Sequence, residues 1–214
     1  MPNFSALRRQ MDQMRSDPVL RGWIWHRLLK GLPVRPPELA QNPPYLNGVG
    51  HTFKGDISFS NMALSADTPT RPIEIPLPGE TISLRPDDAH SFYARAFRDT
   101  EAMLAAHRFA WLPLLGTSVD PNWVRLLWQS WTENIGDERT GWPWHPYTTA
   151  ERAINILSFA RFHGLPGDGA STLELLRQHC AVIADNLEYF GEAQTGNHLA
   201  NNGRGLFLSG LALG

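Results

Sequence analysis

Near its C-terminus the chain reads Gly196-Asn197-His198-Leu199-Ala200-Asn201-Asn202-Gly203-Arg204, and the apolar run Leu206 to Leu213 follows at once. Asn and His suit a helix interior poorly, because their side chains compete for backbone hydrogen bonds. They suit a place where a carboxylate must be held and its charge spread over neutral or protonated donors. Asn197, His198, Asn201 and Arg204 are therefore candidates for holding an acidic substrate. Each also has a plainer use. Asn197 can cap a helix after Gly196, His198 can be a structural histidine, Asn201 and Asn202 can form a polar face, and Arg204 can be a solvated charge.

A second candidate stretch is Gly141-Trp-Pro-Trp-His-Pro-Tyr147, where the prolines forbid a continuous helix. The chain holds eight Trp and four Tyr, and core packing accounts for most of them. Trp142 and Trp144, in a broken segment, are the pair best placed to stack on sugar rings while their N–H groups donate to hydroxyls. His145 and Tyr147 join them as candidate substrate contacts, with packing in a turn as the plainer reading. Arg152 is a further guanidinium that matches carboxylate or sulfate geometry, against a plain solvated position. The eight His include no i, i+4 pair, so neither metal nor cofactor is expected. Glu133, Asp137, Glu138 and Glu192 are the acids a glycoside hydrolase would need, but no spacing pairs them.

Composition bounds what these residues can serve. With 214 residues, 42% of them hydrophobic and 19% charged, the chain is long enough to bury a sizeable core. The net charge of -2 leaves no basic excess to displace phosphate counterions, which argues against nucleic acid. Arg supplies 17 of the 19 basic residues, and the near-neutral balance disfavours a heavily sulfated target. The lone Cys180 permits no internal disulfide. Met1 to Asp17 is polar, without an apolar core of signal-peptide length, so the expectation is cytoplasmic, or periplasmic if the true start lies elsewhere. No stretch approaches the roughly 20 apolar residues of a membrane span.

The elements that must position the candidates fall into two unequal parts, 1–86 and 87–214. Arg8 to Leu32 reads as one or two helices, with Leu20, Trp23, Ile24 and Leu28 near helical spacing. Pro33 to Pro86 is rich in Pro and Gly, with short strands suggested at Phe53, Ile57-Ser58-Phe59 and Ile73 to Leu77. Beyond Asp87 the pattern is helical. Asp120-Pro121 is a strong start signal, and Val124, Leu127, Trp128 and Trp131 share one face. Thr148 to Glu151 and Ser171 to Glu174 are capping-box patterns that open two more helices, and a last one is expected from Asn201. The fold reading is mainly α, with helical hairpins and an irregular, partly β arm.

Four blocks carry a resemblance: His107-Arg-Phe-Ala-Trp-Leu112, Trp144-His-Pro-Tyr147 running into Glu151-Arg-Ala-Ile-Asn-Ile156, Asp185-Asn-Leu-Glu-Tyr189, and Gly196-Asn-His-Leu199. In order and spacing they resemble the N-terminal helical domain of the heparinase II/III-like polysaccharide lyases, relatives of the alginate lyases. The resemblance covers roughly Phe92 to Gly214, and more loosely the Phe53 to Pro86 arm. It implies an incomplete (α/α) toroid, normally followed by a β-sandwich domain that would be this chain's missing partner. A fragment, or a form cut short within the toroid, is the corresponding expectation.

The resemblance also implies β-elimination on an acidic polysaccharide. The proton beside a uronate carboxylate becomes removable only when that carboxylate's charge is neutralised, and Asn197 and His198 match the neutralising, catalytic position. A Tyr or His would take the proton and a Tyr would return one. No residue matches those proton carriers, so the chain alone is expected to be inactive. The alternatives are a non-catalytic carbohydrate-binding or scaffold domain, and a helical-toroid hydrolase.

Overall fold

In the computed structural model of the protein, residues 67–137, 139–188 and 196–214 are described, together with Phe59 and isolated positions between Met11 and Leu29. The chain is mainly α. An antiparallel hairpin of β1 (Ile73–Leu77) and β2 (Glu80–Leu84) leads into a 3-10 run at Pro86–Ala94. Six α-helices follow: α1 (Thr100–His107), α2 (Leu112–Leu115), α3 (Pro121–Ile135), α4 (Pro146–His163), α5 (Gly169–Asp185) and α6 (Asn197–Leu213). A short 3-10 turn, Trp142–Trp144, joins α3 to α4.

The hairpin follows from period-2 alternation. Ile73, Ile75, Leu77, Ile82 and Leu84 are buried, and the register pairs Ile75 with Ile82. Pro76 is tolerated opposite Thr81 because a two-stranded sheet consists only of edges. The buried hairpin side chains join Phe92, Phe109, Trp111, Trp123, Leu127 and Trp131 in one hydrophobic cluster, so residues on both sides of Pro86 share a core. Three side-chain bonds stitch α3 into it: Trp123 Nε1 to Arg71 O at 2.9 Å, Ser130 Oγ to Ala89 O at 2.8 Å, and Trp128 Nε1 to Thr172 Oγ1 at 3.0 Å.

Helix starts divide into expected and unexpected. Asp120 caps α3 by accepting from Asn122 N at 2.9 Å, and Val124, Leu127, Trp128 and Trp131 are all buried, as the periodicity predicts. The other two expected caps are corrected. Proline at the first position opens α4 at Pro146, which leaves Thr148 and Thr149 buried inside the first turn. Asp168, extended at the end of the loop, caps α5 by accepting from Ser171 N at 2.8 Å, three residues earlier than expected. Gly196 stands before α6, which begins at Asn197 rather than Asn201.

Of the N-terminal expectations, the described positions between Met11 and Leu29 are helical, and Leu28 is exposed. Leu20, Trp23, Ile24, Phe53, Ile57 and Ser58 lie outside the described residues, and Phe59 has no regular structure. Among the described residues no helix is long and apolar enough to cross a membrane.

A smaller cluster of Ala153, Leu157 and Leu176, with Leu208 and Ala212 against it, binds α4, α5 and α6 together. The approach of α6 to α4 is close at Gly205, where an added methyl would meet Ala150 Cβ at 2.8 Å and Cα at 3.0 Å. Alanine normally stabilises a helix by about 1 kcal/mol over glycine, and Gly203 has open space around it. Gly203→Ala is therefore expected to raise the unfolding free energy by up to about 1 kcal/mol. Gly205→Ala is expected to lower it by about 1–2 kcal/mol, because the backbone of Ala150 cannot yield. Denaturant titration of the two variants reads the opposite signs.

Candidate functional site

The starts of α4 and α6 lie side by side, and this juxtaposition brings the two candidate stretches together. On the α4 side the cause is the broken segment. Gly141 has a positive φ of 71°, which an L side chain disfavours, and the turn after it sends Trp142 outward and Trp144 inward. Trp142 is 54% exposed and its ring lies 5.6 Å from that of His145. Trp144 is a correction: it is 3% exposed, and its N–H donates to Ile135 O at 2.9 Å. Both its face and its donor are used in the core, so it offers nothing to a sugar.

On the α6 side, His198 presents its ring to Tyr147, with centroids 4.4 Å apart, and lies 6.3 Å from His145. Asn201 is buried and its Nδ2 donates to Tyr147 O in a long contact of 3.4 Å, so it joins the helices rather than facing outward. Asn197 is exposed as the first residue of α6 and does not cap it, since the capping position belongs to Gly196. Arg204 is exposed and reaches Glu151 at 4.0 Å, a pair that solvent weakens. Glu133 and Asp137 are exposed at the end of α3, and Glu138 and Glu192 lie outside the described residues.

The organising group is one that spacing did not reveal. Glu188, 9% exposed after α5, places Oε1 at 2.7 Å from His198 Nδ1 and 3.6 Å from His145 Nε2, while Oε2 accepts from Asn202 Nδ2 at 3.3 Å. Burial lowers the His145 pKa; Glu188 pulls the other way, and His198 and Arg108 reinforce the lowering. Arg108, also unforeseen, lays its guanidinium 4.8 Å over the Tyr147 ring and reaches Glu101 at 3.7 Å. The only sequence signal for Glu188 was its place inside the Asp185 to Tyr189 block.

Arg152 supports this assembly from below. The reading of it as a solvated or polymer-facing arginine is corrected, because it is fully buried. Its Nη1 donates to Pro143 O at 2.8 Å and to His107 O at 3.1 Å, and its Nε donates to His179 Nε2 at 2.8 Å. Its charge rests 3.8 Å over the Trp131 ring. Burial brings its pKa down to about 9. By binding Pro143 O, Arg152 pins the turn that carries Trp142 and His145.

No family model matches the chain, and no curated protein or solved structure matches it either.

Burial, with the arginine's charge added to it, makes its neighbours intolerant of protons. His107 has its pKa lowered to about 3, by burial first and by Arg152 second, and the same two causes push His179 well below its usual range. Between pH ~6.5 and ~3 the unfolded chain therefore binds protons that the folded chain refuses. Stability is fully present above about pH 6.5 and falls as pH is lowered through that window. His107 alone is expected to remove on the order of 2–3 kcal/mol between pH ~7.5 and ~4.5, and His179 adds to that loss, measured by denaturant titration. Arg152→Ala should cost about 3 kcal/mol or more at neutral pH, since three charge-assisted acceptors lose their donor.

Proposed function

We propose that this helical chain is the toroid portion of a polysaccharide lyase that acts on uronic-acid polymers by β-elimination. The observation that carries the reading is the meeting of Trp142, His145, Tyr147 and His198 at the paired starts of α4 and α6. An exposed indole beside two imidazoles combines a stacking face for a sugar with donors for its carboxylate. The first turn of α6 adds backbone N–H groups without helical partners, which favour an anion near Asn197. In this reading α3 to α6 are successive members of an incomplete (α/α) toroid. Asn197 and His198 share the charge that develops as the proton beside the carboxylate leaves.

A non-catalytic carbohydrate-binding role draws on the same exposed Trp142, and one experiment tests the acidic-polymer ligand that both readings require. The purified chain is run through gels containing polyuronate, sulfated glycosaminoglycan or neutral dextran, and incubated with each polymer while product absorbance and reducing ends are followed. Retention by polyuronate and not by dextran is expected, weakened by about tenfold in Trp142→Ala, the effect of losing one stacking contact. No turnover is expected of this chain alone, since none of its residues matches the proton carriers, and absorbance from unsaturated ends would overturn that expectation and mark elimination by the chain itself. Reducing ends without that absorbance mark a hydrolase, and indifference to every acidic polymer overturns the proposal.

A further inference from the structure

A carboxylate has no proton to give, so the 2.7 Å contact between Glu188 Oε1 and His198 Nδ1 places a proton on Nδ1. The other ring nitrogen, Nε2, belongs to a side chain that is 49% exposed. When the ring is neutral Nε2 offers a lone pair, and when it is charged Nε2 offers an N–H. Only the charged form donates to a sugar carboxylate. The bond to Glu188 therefore determines which nitrogen faces a ligand, and protonation determines whether that nitrogen attracts or repels it.

The surrounding charges leave this balance to three groups. Among the described residues, Glu188, His145 and Tyr147 face His198, and Arg108 stands over Tyr147. Arg108 pairs with Glu101 at 3.7 Å and Arg204 with Glu151 at 4.0 Å. With both imidazoles neutral, Glu188 makes the cluster an anion that repels a uronate. With one proton taken up it is neutral, and with two it is a cation. His145 resists its proton because of burial, with His198 and Arg108 adding to the resistance.

We infer that Glu188 is the positioning residue of this site and makes carboxylate binding acid-gated: it fixes His198 through Nδ1, and it keeps the site negative until the imidazoles take up protons. The ligand class rests on the proposed function; the role of Glu188 toward His198 does not.

The test uses the whole chain, a uronate oligosaccharide as probe, and the variants Glu188→Gln and Glu188→Leu. The wild type is expected to bind on the order of tenfold more tightly at pH ~5.5 than at pH ~7.5, as proton uptake by the imidazole pair cancels the negative charge of Glu188. Glu188→Gln lacks the standing negative charge, so its binding at the higher pH strengthens and its two affinities come within about threefold. Nitrogen-15 spectra of the histidine rings read the positioning without ligand. At pH ~8 the wild-type His198 carries its proton on Nδ1, and Glu188→Leu, which has no acceptor, moves it to Nε2. The wild-type tautomer needs no variant to be read, so a variant that fails to fold does not stop the test. A wild-type Nε2–H tautomer, or an undiminished pH dependence in Glu188→Gln, overturns the inference. Absence of binding at every pH with the Nδ1–H tautomer in place overturns the uronate reading and leaves the positioning role standing.

Discussion

A guanidinium buried with no carboxylate bonded to it among the described residues is the constraint on which the helical body depends. Withdrawing the Arg152 charge from water costs several kcal/mol. Charge-assisted hydrogen bonds at about 1.5–3 kcal/mol each, and an aromatic face at about 2 kcal/mol, are the available offsets. The protein uses both kinds: two carbonyls, the His179 ring and the face of Trp131. Each partner comes from a different part of the chain: the end of α1, the 142–144 turn, α5 and α3. Holding one cation thus requires four elements to be in register. The lowered basicity of His107 and His179 accompanies that arrangement: burial lowers it first, and the charge of Arg152 adds to the lowering.

The candidate site is a surface consequence of this interior. Arg152 holds Pro143 O, and Trp144 donates to Ile135 O, so the turn is fixed on its inner side. Trp142 and His145 are what remains on its outer side. The close passage at Gly205 brings the first turns of α6 beside them. Glu188 then gathers the rings of both helices around one carboxylate. Burial inside and chemistry outside are two ends of the same packed unit.

Legibility in the sequence follows physical scale. The α3 start is readable because Asp120-Pro121 acts within one turn, and its buried face because Val124, Leu127, Trp128 and Trp131 keep a 3.6-residue period over two turns. The α4 start lies before Thr148 because a capping box is only a set of letters; Pro146 fixes the first turn, and both threonines are buried. Trp142 and Trp144 have the same identity and nearly the same context, so only the direction of the turn separates a surface indole from a core one. Arg152 looked like a surface residue because its acceptors are carbonyls, which no residue type announces. Glu188 stands out in the sequence only through its place in the Asp185 to Tyr189 block, since its side-chain partners are brought to it only when α4 and α6 meet.

The central claim is that Trp142, His145, Tyr147 and His198 form one ligand-facing surface while the other indoles of the described core are packing. Side-chain resonances followed during titration with a uronate oligosaccharide test it most directly. The Trp142 indole and the His145 and His198 rings are expected to shift together along one saturating curve, with the Trp131 and Trp144 indoles unmoved. Shifts confined to residues away from this surface, or a Trp142 indole silent at saturation, would contradict it.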